Sequence, residues 1–122
     1  MDNLKKINDA YGHQAGDDAL CRVAKALTMV ANDNTAYART GGDEFCVVRR
    51  IQQAGEGEMF VAQLQAALDT VNEQSNPAYK AEVSCGFYEV ENPSVTSIKQ
   101  ALELSDEQMY ENKRLRKAGR KD

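Results

Sequence analysis

Ala38-Arg39-Thr40-Gly41-Gly42-Asp43-Glu44-Phe45-Cys46-Val47-Val48 places two glycines and two acids between what read as a pair of strands. Gly-Gly is a hairpin turn signal because it tolerates positive φ, and the apolar run that follows reads as a buried strand. The acids therefore stand where a turn enters a strand. Adjacent carboxylates at such a place offer hard oxygen ligands to Mg²⁺ or Mn²⁺, beside a glycine backbone thin enough for a nucleotide to approach. A plain acidic hairpin would carry the same letters.

Outward from that stretch, Thr35 to Thr40 and Glu44 to Arg49 form the hairpin arms. Phe45 and Val47 fall on one face and Cys46 and Val48 on the other, and two apolar faces predict a central strand. Upstream, Leu20, Val23, Leu27 and Val30 recur at helical spacing from Asp17 onward, which predicts an amphipathic helix ending near Ala31-Asn32-Asp33-Asn34. The stretch from Asp2 to Asp9 reads as a loop or short helical turn, punctuated afterwards by Gly12 and Gly16. Downstream, Phe60, Leu64, Leu68 and Val71 mark a second helix from Met59 to about Asn72. Lys80 to Val90 alternates Ala81, Val83, Cys85 and Phe87 with Glu82, Ser84, Gly86 and Tyr88, the period of a strand with one buried face. Asn92-Pro93-Ser94 closes it, and a last helical region begins at Val95, with a break expected near Ser105-Asp106. Helix, strand, strand, helix, strand, helix fits an α+β sandwich with helices packed on an antiparallel sheet.

A chain of 122 residues holds one core, and 42% hydrophobic with 28% charged residues describes a folded globular domain. Its net charge of -4 argues against a general nucleic-acid binder, which needs excess Lys and Arg to neutralise phosphates. No membrane segment or signal peptide is read, so a cytoplasmic location is expected. Cys21, Cys46 and Cys85 lack the CxxC pairing of a zinc or redox site and are expected as buried free thiols.

Gly41-Gly42-Asp43-Glu44-Phe45 is the GGDEF signature as it stands in diguanylate cyclase catalytic domains. A second block, Lys5-Lys6-Ile7-Asn8-Asp9-Ala10-Tyr11-Gly12-His13-Gln14-Ala15-Gly16-Asp17-Asp18-Ala19-Leu20, resembles the family's FKxINDxxGHxxGDxxL, in the right order and at the family's separation. The resemblance implies residues 1–122 as a single GGDEF domain with a ferredoxin-like, nucleotidyl-cyclase-like antiparallel sheet. It also implies an apolar first strand that is absent here or reduced to Met1, making the domain N-terminally truncated relative to the family.

The implied reaction condenses two GTP molecules into cyclic di-GMP with release of pyrophosphate, using Mg²⁺ or Mn²⁺. By resemblance Asp43 is a metal ligand, Glu44 binds metal or activates the attacking hydroxyl, and Gly41 and Gly42 let the backbone approach phosphates. Asn8 and Asp17 match positions that recognise guanine, chemistry suited to an amide and a carboxylate. Read locally, Asn8 would instead serve an Asx turn and Asp17 a helix N-cap. Met109-Tyr110-Glu111-Asn112-Lys113 resembles LYxAK, whose lysine contacts terminal phosphates, and Lys117 stands four residues on, with Gly119-Arg120 as a displaced equivalent. Lys5 is a further phosphate contact; read alone, the basic tail is a solvated helix end. His13 looks structural.

Two departures from the family stand out. Asn32 and Thr35 occupy the places of its RxxD product-inhibition site, so feedback there is not expected. Its other metal-ligating aspartate falls just before Met1, and Asp2 matches a different acid. Catalysis would need a second GGDEF domain, as a homodimer facing the first with two-fold symmetry. The competing readings are a catalytically impaired module that binds GTP or a protein partner in a regulatory role, and a sheet edge that serves assembly alone.

Overall fold

The computed structural model describes residues 1–90 and 97–119, excluding the side chain of Lys117. The expected turn at Asn92-Pro93-Ser94, the helix start at Val95 and Arg120 lie outside the described residues. The order is α1 (Leu4–Tyr11), α2 (His13–Val30), β1 (Thr35–Arg39), β2 (Phe45–Arg49), α3 (Glu56–Glu73) and α4 (Ile98–Gly119). This is an α+β arrangement, as expected.

The core forms where α2 and α3 meet. Ala19, Leu20, Val23, Ala26 and Leu27 of α2 recur at helical spacing and are buried against Leu64, Ala67, Leu68 and Val71 of α3, with Ala81 and Val83 closing one side. Leu27 and Leu68 are each only 2% exposed, so truncating either to alanine would remove about 2–5 kcal/mol of stability.

Of the loop or short helical turn expected from Asp2 to Asp9, the structure takes the helical form and extends it to Tyr11. Leu4–Tyr11 is a helix whose Ile7 is buried in the core, because packing of an apolar face on α2 supplies what so short a helix lacks alone. Gly12, at φ 95°, both ends α1 and starts α2, so α2 begins at His13 rather than Asp17 and takes Gly16 inside it.

β1 and β2 pair antiparallel with Arg39 opposite Phe45, and Thr40 N–H donates to Glu44 O at 2.9 Å to close the connecting loop. Gly41 and Gly42 do not adopt the expected positive φ; among the described residues only Gly12 and Gly55 do. A connection running from Thr40 to Glu44 is long enough to reverse the chain without a left-handed residue. Nor is β2 a central strand: the sheet of the described residues has two strands, and Val48 is exposed.

The expected strand over Lys80–Val90 is also not found, although Ala81 and Val83 are buried in the predicted alternation. Side chains supply most of the partners along it, and neither β1 nor β2 pairs with it. Asn3 reaches Lys80 O and Glu82 N–H, Asn72 reaches both backbone groups of Ala81, and Gln65 donates to Val83 O. From α4, Gln108 accepts from Phe87 N–H, Asn112 donates to Cys85 O and Arg116 donates to Val83 O. Those residues stand four apart on a helix against residues two apart on an extended chain, spacings of about 6 and 6.6 Å, so helix and segment stay in step. Between this segment and the hairpin lies the start of the chain. Met1 N donates to Asp43 O on one side and Asp2 N–H to Glu82 O on the other.

α3 starts at Glu56, earlier than expected, because the Glu56 carboxylate accepts from Gln52 and Gln53 N–H and Glu89 accepts from Gly55 and Gly57 N–H. α4 runs unbroken through Ser105-Asp106. The cysteines are free, but Cys21 is exposed and Cys46 and Cys85 are half-buried, since position 21 lies off the buried stripe of α2. Among the described residues no helix is long and apolar enough to cross a membrane.

Candidate functional site

The loop from Gly41 to Glu44 projects from the hairpin beside α2. Arg39 Nε donates to Gly41 O at 3.1 Å, fixing where the loop leaves β1. Asp43 is half-buried, with its carbonyl engaged by Met1, while Glu44 is exposed and folds back toward Gly41. A Cβ at Gly42 would meet nothing within 4 Å, so that backbone is open to an approaching group.

A groove of about 450 Å³ runs between α2 and the hairpin, within the range of small-molecule sites. Asp17, Leu20 and Cys21 form one wall, and Tyr37, Arg39 and Phe45 the other. Thr28 and Tyr37 share a hydroxyl hydrogen bond of 2.6 Å that ties the walls together. The cavity thus has an apolar floor, an acid and a guanidinium. Asp17 does not cap α2, which starts at His13, so the local alternative for Asp17 falls away. Asn8 lies inside α1 rather than in an Asx turn, with its side chain against Gly16.

The structure brings Asp17 to the arms that carry the signature loop, and sets Asn8 one residue from Asp17 through the Gly16 contact. Asn8, Asp43 and Glu44 do not line the groove wall. Lys113 is half-buried on α4, within electrostatic reach of the Met1 nitrogen. Lys5 is exposed on α1. The Lys117 side chain lies outside the described residues.

Among the described residues no group of three or more His, Cys, Asp or Glu side chains converges. Asp43 and Glu44 nevertheless offer adjacent carboxylates, and Mg²⁺ is held by one or two carboxylates with water and phosphate oxygens filling its other positions. The donor set fits a hard divalent cation.

One functional-looking cluster is not foreseen in the sequence analysis. Arg22, 3% exposed, donates to Asp18 at 3.0 Å, Asn72 Oδ1 at 3.1 Å, Tyr79 O at 2.9 Å and Asn76 O at 3.2 Å, and its guanidinium lies 4.4 Å from the Tyr79 ring centre. Tyr79 in turn donates its hydroxyl to Asp18 at 2.8 Å. This joins the first half of α2, next to Asp17, to the end of α3. The available signal was an arginine standing in the apolar stripe between Ala19 and Ala26.

A hairpin bearing paired acids, packed beside a helix whose Asp17 lines the groove, fits a nucleotidyl-cyclase-like α+β domain. The family described as "Diguanylate cyclase, GGDEF domain" matches residues 1–119, and the chain belongs to it. It is 32% identical over 113 residues to the probable diguanylate cyclase DgcJ of Escherichia coli strain K12, covering 93% of this chain and 22% of that protein. It is 28% identical over 120 residues to the probable diguanylate cyclase DgcC of the same strain, covering 98% and 31%. Diguanylate cyclase DgcP, also from that strain, is 32% identical over 127 residues, covering 93% and 33%. The chain therefore spans about a fifth to a third of the length of these relatives.

Proposed function

We propose that this domain condenses two GTP molecules into cyclic di-GMP and pyrophosphate as part of a second-messenger signalling protein. The observation that carries the reading is the groove in which Asp17 faces the strand arms that carry the Gly41–Glu44 loop. Asp17 accepts from the guanine N1 and N2 hydrogens, and Asn8 completes recognition of the base edge. Gly41 and Gly42 admit the phosphates, with Lys5, Lys113 and Lys117 neutralising their charge. Asp43 and Glu44 hold Mg²⁺ or Mn²⁺, which when bound withdraws charge from the triphosphate and favours loss of the hydroxyl proton. Glu44 assists that proton's departure from the ribose 3′-oxygen before attack on the α-phosphorus of the GTP on a facing domain. The domain works in the cytoplasm, where GTP is supplied.

The test is incubation of the full-length protein with GTP and Mg²⁺, followed by chromatography for cyclic di-GMP. Product is expected, and Glu44→Gln should lower turnover by about 100-fold or more while GTP remains bound. Full-length protein that binds GTP and yields no product would reject the cyclase reading in favour of a regulatory GTP-binding module.

A further inference from the structure

Gly16 sits inside α2, where glycine is a poorer helix former than any residue but proline. It is not there for a turn, since Gly12 makes the turn and only Gly12 and Gly55 have positive φ among the described residues. Nor is it on an open surface, because Gly16 is buried. The reason lies across the helix pair. A Cβ at Gly16 would fall 1.7 Å from Asn8 Oδ1, 2.7 Å from Asn8 Cγ and 3.2 Å from Leu4 Cδ1. The space a methyl group would take is already filled by the Asn8 amide. All three near atoms belong to side chains, so an added methyl would displace the amide before it displaced the backbone.

We propose that Gly16 is a positioning residue for substrate recognition. Its missing side chain forms the socket that holds the Asn8 amide in one orientation, against the residue that precedes Asp17 on α2. The proposal rests on the reading of Asn8 and Asp17 as the guanine-recognising pair. Two polar groups that read one base edge must keep a fixed relation, and here one lies against the residue that precedes the other. Filling the socket turns the amide away while leaving α2 free to gain helix propensity. Stability and recognition should therefore move in opposite directions, an outcome that a purely structural glycine would not give.

The experiment measures GTP and ATP binding, together with melting temperature, for the full-length protein and for Gly16→Ala, Asn8→Ala and the double variant. Gly16→Ala should weaken GTP binding about tenfold, the loss of one well-placed hydrogen bond, with melting unchanged or raised and with the preference for GTP over ATP reduced. In the Asn8→Ala background the same substitution should change GTP binding less than about twofold, because the group it displaces is gone. Full additivity of the two substitutions, or equal loss of GTP and ATP binding with a lowered melting temperature, overturns the positioning role while leaving base recognition intact. An Asn8→Ala protein that keeps its full preference for GTP overturns the base-recognition reading itself and this proposal with it.

Discussion

Arg22 shows how one charged side chain can occupy a core stripe. Its guanidinium has partners on α2, on α3 and in the loop between Asn76 and Tyr79, so most of its hydrogens are used while its stem fills the stripe. Tyr79 completes the arrangement. Burial raises its phenol above the ordinary tyrosine value, and the hydrogen bond to the Asp18 carboxylate and that group's charge raise it further. A folded-state pKa that is raised contributes stability fully present below the unfolded value and lost as pH rises through the folded one. The domain should therefore lose stability on the alkaline side, from about pH 10 upward. Urea midpoints measured across that range should fall for the native chain, and Tyr79→Phe should remove this component of the decline. The sequence displays Arg22 on the apolar stripe, yet it does not display Tyr79, because their separation along the chain is bridged only when α3 returns past α2.

The segment from Lys80 to Val90 and helix α4 form a unit that local pattern only half describes. Alternation correctly places Ala81 and Val83 inward. It says nothing about what lies on the edge, and here the edge is met by Asn3, Asn72 and the Gln108, Asn112 and Arg116 row rather than by β1 or β2. The approach of α4 depends on Gly86, where a Cβ would lie 2.0 Å from Ser105 O and 2.3 Å from Met109 N. Both atoms are backbone, so nothing flexible can give way. Gly86→Ala should push α4 off the segment and cost about 1–3 kcal/mol. Limited proteolysis should then cut α4 earlier than in the native protein, and unchanged protease resistance would show that the helix does not rest on this contact.

For the whole molecule, the proposed reaction joins two substrates held on two domains, so assembly and turnover are linked. Specific activity should rise with protein concentration as facing pairs form, and fusion to a dimerising coiled coil that permits the facing geometry should flatten that dependence. Activity per chain that is constant across dilution, with a monomer at every concentration, would contradict catalysis across a facing pair. The α2 and α3 core is independent of this requirement, since its apolar faces close on each other within one chain.

Helical spacing in α2 and α3, the hairpin around Gly41-Gly42 and the two motif blocks were legible from the residues alone, because periodicity and turn chemistry act over a few neighbours. The full extent of the first helix, the partners of Arg22, the side-chain hydrogen bonds along Lys80–Val90, the unbroken α4 and the Asn8 amide against Gly16 emerged only with the chain folded. Each depends on a side chain meeting backbone or a cavity contributed by another element, and spacing along a sequence does not encode which distant group will arrive to satisfy it.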